Sequence, residues 1–206
     1  MASSTSSSTS TPAPILHLSE SNTLIRPFIP TNSDTESLAD HANNPKISQY
    51  MRNAFPSPYN RSNAIDWIAF TMSQKPTHDF AICLASTNAV IGAIGLKPRT
   101  DIQHRSMELG YWIGEEYWGR GIASEAVVQF VRWVFGQAVF AHVVRIDAEV
   151  FDGNEASKRV LEKAGFVSEG RRRCAVEKRG VVLDTFVYAL VREDLESAKR
   201  TETISS

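Results

Sequence analysis

The stretch Glu108-Leu-Gly-Tyr-Trp-Ile-Gly-Glu-Glu-Tyr-Trp-Gly-Arg-Gly-Ile-Ala-Ser-Glu-Ala126 decides how this chain is read. Its first seven residues have the apolar and aromatic character of a strand, Trp118-Gly-Arg-Gly121 is a tight glycine turn, and Ile122 opens an amphipathic run. Strand, turn and helix start together form an anion grip. The first N–H groups of a helix have no intrahelical acceptor and lie at the positive end of its macrodipole, so they hold an anion without needing a lysine. Gly119 and Gly121 remove the Cβ atoms that would keep a pyrophosphate at a distance.

On the C-terminal side, Ala123, Ala126, Val127, Phe130, Val131 and Val134 recur at three and four, giving a helix from Gly119 to Phe135 with a broad apolar face. Val143 to Phe151 reads as a strand and Asn154 to Lys163 as a short helix stopped by Ala164-Gly165. Phe166 to Val176 and Val181 to Val191 form a closing hairpin with its turn near Lys178-Arg-Gly180. On the N-terminal side, Leu16 to Arg26 is two short strands around Ser19-Glu-Ser-Asn22, and Phe80 to Ala85 and Ala89 to Leu96 are a hairpin. Helices are expected at Asp34 to Ala42, after the capping run Thr31-Asn-Ser33, and at Ala64 to Met72; Pro45, Pro56 and Pro58 mark an irregular connection between them. The class is α/β (α+β): one mixed, mostly antiparallel sheet of about seven strands with about four helices on its two faces.

Composition sets the limits. The 206 residues, 42% hydrophobic, suffice for one domain, expected at 14–197 between a Ser/Thr-rich disordered tail (1–13) and a frayed end (198–206). Lys and Arg number 22 against 23 Asp and Glu, so no global field recruits nucleic acid or an anionic membrane. No apolar run approaches the roughly 18 residues of a membrane helix. The start of the chain lacks the basic and apolar regions of a secretory signal, and a soluble, cytoplasmic protein is expected. Cys83 and Cys174 lack metal-ligand spacing and are read as reduced, buried thiols; no metal is expected.

Three nucleotide-binding turns compete for Gly119 and Gly121. A P-loop needs Lys and Ser or Thr after its last glycine, where Ile122-Ala123 stand. A dinucleotide fingerprint needs a third Gly or Ala where Ser124 stands, and an acid near Val139-Phe140. The acyl-CoA turn, six residues ending in Gly-x-Gly or Gly-x-Ala at a helix start, fits Trp118-Gly-Arg-Gly-Ile-Ala123. With Phe151-Asp-Gly-Asn-Glu-Ala-Ser-Lys-Arg-Val-Leu-Glu-Lys-Ala-Gly-Phe166 following in the right order, and Glu169-Gly170 behind it, the chain resembles the GNAT acetyltransferases from about Leu24 to Asp194. Within them it resembles the branch that includes the bacterial ribosomal-protein N-terminal acetyltransferases. Trp118 stands where the wider family usually has Gln or Arg.

The resemblance implies a GNAT fold with splayed central strands and acetyl-CoA as cosubstrate. The pantetheine would lie in the splay like an added strand, on backbone groups of Tyr111, Trp112 and Ile113. Trp118, Gly119, Arg120, Gly121, Ile122, Ala123 and Ser124 would wrap the pyrophosphate, and Asn154 would contact the cofactor. On the residues alone, Asn154 is equally an ordinary N-cap, Ser157 a small helix residue, and Trp112, Trp118 and Trp133 core or rim packing.

An amine with a pKa of about 10.4 must lose a proton before it attacks a thioester. The resemblance implies Glu108 as the base, since family members often place an acid at this end of the strand, against the bland reading of a solvated strand-end carboxylate; Glu149, Glu177, Asp184 and His142 compete. Leu161 stands where many family members have an acidic tyrosine, and the branch implies Ser157 as the substitute acid. The resemblance implies a primary amine as acceptor, a protein or peptide N-terminus ahead of a small molecule. Phe55, Tyr59 and Trp67 either wall its cleft or pack helices on the sheet. A non-catalytic acyl-CoA sensor is the alternative. Arg171-Arg-Arg173 reads as a strand edge rather than an RNA contact, and the protein is expected to be a monomer or homodimer.

Overall fold

Eight strands form one sheet in the computed structural model, which describes residues 12–195. Apart from Pro12 and Ala13, the two predicted tails fall outside the described residues. In chain order the elements are β1 (Leu16–Leu18), β2 (Thr23–Arg26), α1 (Asn32–Ala42), α2 (Pro45–Ser48), α3 (Arg61–Ser73), β3 (Asp79–Leu84) and β4 (Val90–Pro98). Then come β5 (Ser106–Ile113), α4 (Ile122–Gly136), β6 (Arg145–Phe151), α5 (Glu155–Lys163), β7 (Val167–Lys178) and β8 (Val181–Val191). Single 3₁₀ turns at Asp101–Gln103, Glu115–Tyr117 and Ala138–Phe140 join some of these.

The strand order is β1-β2-β3-β4-β5-β6-β8-β7, antiparallel throughout except where β5 and β6 run parallel. That one parallel pairing covers only Ser106↔Arg145, Met107↔Ile146 and Glu108↔Asp147. Past it, β5 continues to Ile113 along β4 and β6 continues to Phe151 along β8. The two middle strands splay because each stays loyal to its outer neighbour. The expected mixed sheet is therefore found, with eight strands instead of about seven.

Strand alternation separates two cores. Leu109, Ile113, Ile146, Ala148 and Val150 face α4 and α5, whereas Ala81, Cys83, Ala93 and Trp112 face α1 and α3. The periodic stripe of α4 buries Ile122, Ala126, Val127, Phe130, Val131, Val134 and Phe135. Each large side chain among them contributes roughly 1.5–3 kcal/mol. That packing holds the start of α4 at the open end of the splay. On the other face, the fully buried Arg26 guanidinium makes two hydrogen bonds to Asp34, of 2.8 and 2.7 Å, pinning α1 to β2.

Two expectations need correction. Pro45 does not break the connection after α1 but opens α2, capped by the Asn44 side chain; proline at the first helical position loses no hydrogen bond. Cys83 is buried as expected, yet Cys174 is exposed, because β7 is the last strand of the sheet and Cys174 lies in its bulge with φ of 51°.

Candidate active site

A cavity of about 1160 Å³ runs through the splay, from the α2–α3 segment on one face of the sheet to α5 on the other. Glu108, Tyr111, Trp112, Ile113, the whole run from Trp118 to Ser124, Asn154 and Ser157 all line it. Residues expected to act together thus line one cavity although they are far apart in sequence, Tyr111 and Ser157 by 46 residues.

The glycine turn has the geometry an anion needs. Gly119 and Gly121 adopt φ of 74° and 78°, and a Cβ on either would project into open space. Gly121 caps α4 with no side-chain hydrogen bond, and the N–H groups from Gly119 to Ser124 have no acceptor among the described residues. A row of unpaired amides at the positive end of a four-turn helix fits a pyrophosphate. Arg120 is exposed, bonded to the Glu116 carbonyl at 2.8 Å and set over the Tyr117 ring. Arg159 and Lys163 of α5 line the same cavity, two cations the sequence reading passed over.

Backbone parity in β5 decides which groups face the splay. Arg99 N–H donates to the Ser106 carbonyl and Gly114 N–H to the Ile91 carbonyl, so even-numbered residues of β5 turn their backbone toward β4. Arg105, of the other parity, accepts from Val144 on the β6 side. The backbone contact expected of Trp112 is therefore spent on β4, while Tyr111 and Ile113 face the gap. The Ile113 carbonyl is taken by the Trp118 indole N–H at 2.7 Å. This leaves the Tyr111 N–H and C=O and the Ile113 N–H for an added strand.

On the α5 side, Asn154 serves as the N-cap, its Oδ1 accepting from Ser157 N–H at 3.2 Å, and its amide NH₂ has no partner among the described residues. The Ser157 hydroxyl lies 2.8 Å from the Tyr111 phenol, which also donates to the Ser157 carbonyl at 3.3 Å. Burial pushes the Tyr111 pKa well above its ordinary value. Tyr111 is thus a neutral phenol bridging β5 to α5 just beyond the end of the ladder, a side-chain role that reading its backbone alone had missed.

Glu108 lies on the opposite face. It is neither solvated nor free: its side chain is 13% exposed and paired with Arg52, and Arg99 approaches its other oxygen at 3.5 Å. Arg99 in turn holds Asp147 at 2.6 Å, and the hydrogen bond to Asp147 is the main reason its pKa is raised. Glu149 also lines the cavity but accepts from Arg172 at 2.7 Å and Thr185 at 2.6 Å. Of the other rivals, Glu177 and Asp184 lie outside the cavity, Asp184 bound to Arg171 and the Cys174 N–H. His142 follows α4 at the far end of the sheet. With Arg171 and Arg172 both ion-paired, the strand-edge reading of that basic run describes these two residues.

Phe55, Tyr59 and Trp67 fill both proposed roles, lining the cavity while packing the second core. The Phe55 ring sits 5.1 Å from Tyr59 and 6.2 Å from Trp112. Burial raises the Tyr59 pKa to about 12.

A family model described as "Acetyltransferase (GNAT) domain" matches residues 22–167. The uncharacterized N-acetyltransferase YoaA of Bacillus subtilis (strain 168) is 32% identical over 164 residues, 79% of this chain and 90% of that protein. The fold is shared with the ribosomal-protein-S5-alanine acetyltransferase of Vibrio fischeri, at TM-score 0.70 and 20% identity over 84% of this chain and 94% of that one. It is shared too with Mycobacterium smegmatis RimJ in complex with CoA-disulfide, at TM-score 0.72 and 21% identity over 85% of each chain. The chain belongs to the GNAT acetyltransferase family. It is an N-acetyltransferase that uses acetyl-CoA as its cosubstrate. Among the described residues, no helix is long and apolar enough to cross a membrane.

Proposed function

We propose that the protein transfers acetyl directly to a primary amine, a protein or peptide N-terminus in preference to a small-molecule amine, with Glu108 as base and the Tyr111–Ser157 pair as acid. The observation that carries this reading is the division of the splay by strand parity. Glu108 stands on the α1/α3 face, Tyr111 on the α5 face, and one cavity joins them. Bound acetyl-CoA supplies an activated acyl group and a thiolate leaving group.

Around it the chain's own groups divide the work. The Gly119–Ser124 amides hold the pyrophosphate, and the Tyr111 and Ile113 backbone orients the pantetheine. A backbone N–H facing the gap, Tyr111 or Ile113, donates to the oxygen on which charge develops. Glu108 takes the ammonium proton from the acceptor side before attack; as the C–S bond breaks, the neutral Tyr111 phenol, held by Ser157, gives its proton to sulfur, and the second proton shed by nitrogen as the amide forms restores the phenol. Preference for a chain terminus rests on the branch resemblance and on a cavity that continues past Glu108 to the α2–α3 segment.

The test is Glu108→Gln assayed by thiol release from acetyl-CoA with N-terminal peptides and small amines. The rate should fall roughly 10²-fold or more while CoA affinity holds, and the acid limb of the pH–rate profile should vanish. An unchanged profile removes Glu108 from the role of base, and tight CoA binding without turnover on any amine overturns the acetyl-transfer reading.

A further inference from the structure

Arg52 stands out from the other cations on the acceptor face. Arg99 is bound to Asp147, Arg145 to Glu169, and Arg172 to Glu149. The Arg52 guanidinium has a single polar partner among the described residues, and that partner is Glu108. Its side chain is 50% exposed, whereas that of Glu108 is 13% exposed.

The segment around Arg52 is tied on both sides, by a backbone carbonyl and by a side chain. The Met51 carbonyl accepts from Lys178 Nζ at 2.6 Å, and the Asn53 side-chain amide donates to the Glu177 carbonyl at 3.4 Å. One residue further out, the Tyr50 hydroxyl donates to the Gly153 carbonyl at 3.1 Å. The segment is strapped across the cavity, from the β6–α5 turn to the β7–β8 hairpin, with the Arg52 Cα held in place. The guanidinium at the end of that stem has one ion pair to exchange.

We propose that Arg52 reads a carboxylate on the acceptor, so that the enzyme favours amines carrying an acidic group close to the reacting nitrogen. The Arg52–Glu108 pair and such an acceptor are charge complements: the acceptor's carboxylate takes Arg52 and its ammonium takes Glu108. Two ion pairs replace one, beside a cavity wall that includes Phe55, Tyr59 and Trp112. Arg99 stays on Glu108 throughout and keeps the base oriented. Lys97, the cross-strand neighbour of Glu108, adds to the same wall an ammonium with no ion pair among the described residues. A neutral acceptor would have to displace Arg52 with nothing to give it in return. This inference rests on the acetyl-transfer reading above, with Glu108 as the group that meets the amine.

The experiment is steady-state thiol release with two matched series. One compares C-terminally amidated peptides beginning Ala-Asp, Ala-Asn and Ala-Lys; the other compares free alanine with alaninamide. In the wild type, at least one acid should exceed its amide by about ten-fold in kcat/KM, the size of one exchanged ion pair. Arg52→Ala should bring that ratio close to one through the KM of the acidic acceptor. Arg52→Glu should invert the peptide order in favour of Ala-Lys, and Arg52→Lys should keep part of the acid preference. A cooperative thermal melt of each variant shows that it is folded. Equal turnover of acids and amides by the wild type, or an acid preference that survives Arg52→Ala, overturns the proposal. Both results leave acetyl transfer intact, whereas no turnover of any amine with CoA bound overturns the reading beneath it.

Discussion

Replacing Gly121 with alanine separates what the glycine does for the fold from what it does for the cofactor. Gly121 sits at φ of 78° and ψ of −9° as the N-cap of α4, and no atom lies within 4 Å of where a Cβ would be. The fold therefore bears only the backbone cost of an L-residue in the left-handed region, roughly 1–2 kcal/mol. For a domain of this size each kcal/mol lowers Tm by about 2–4 °C. The same methyl group projects into the space where the phosphate oxygens must approach the Gly119–Ser124 amides. Losing one such charge-assisted bond costs about 1.5–3 kcal/mol, or a 10- to 100-fold rise in Kd for CoA.

Gly180 supplies the control. It has the same φ of 78° and the same open space around a Cβ, but it lies in the β7–β8 turn, outside the cavity. Gly180→Ala should thus lower Tm as Gly121→Ala does and leave CoA binding untouched. Thermal denaturation reads the first effect, and titration calorimetry with CoA the second. Acetyl-pantetheine, which lacks the pyrophosphate, should be turned over alike by Gly121→Ala and the wild type. Wild-type CoA affinity in Gly121→Ala, or an equal loss in Gly180→Ala, would refute the assignment of the turn.

Four other substitutions probe three separate parts of the molecule. Tyr111→Phe removes the phenol that meets Ser157 at 2.8 Å, and kcat should fall at least about ten-fold with the Kd for CoA unchanged. Ser157→Ala should cost less, because Tyr111 keeps the Ser157 carbonyl; a larger loss in Ser157→Ala would transfer the acid role to the serine. Asp34→Ala leaves the buried Arg26 without its carboxylate and should destabilise the fold by about 3–5 kcal/mol in urea denaturation, and a loss below about 1 kcal/mol would contradict a paired buried charge. Burial raises the Asp79 pKa above the ordinary carboxylate value, against a hydrogen bond from Gln74 that lowers it. Stability from that group is present below the unfolded pKa and lost as pH rises through the folded one. Asp79→Asn should therefore gain in Tm relative to wild type as pH rises from about 4 toward neutrality, and a difference that does not change with pH would count against it.

What could be read from sequence is what is written locally. The strand, turn and helix start at 108–126 encode their anion grip within one short span, because positive φ, missing Cβ atoms and free amides all belong to neighbouring residues. The Asn154 cap and the Gly165 stop of α5 were legible for the same reason. Cys174 was misplaced because an apolar run signals a strand without saying which strand ends the sheet, and the order β6-β8-β7 puts the penultimate strand at the edge. Pro45 was taken as a break because proline marks a helix start as often as a stop, and only the Asn44 cap distinguishes the two.

The partners of the reacting groups were illegible for a different reason. Arg52 lies 56 residues from Glu108, and Ser157 lies 46 from Tyr111; no periodicity links such pairs. What joins them is register. Once β4 claims the even-numbered backbone groups of β5, Tyr111 and Ile113 have their N–H groups facing the gap, and the side chains of Glu108 and Tyr111 fall on opposite faces of the sheet. A shift of one residue would exchange both assignments, sending the carboxylate to α5 and the phenol to the acceptor side. The reading of this site as two half-reactions separated by a sheet therefore depends on one strand pairing. A second pairing, that of β5 with β6, ends at Glu108↔Asp147 and so opens the splay in which they meet.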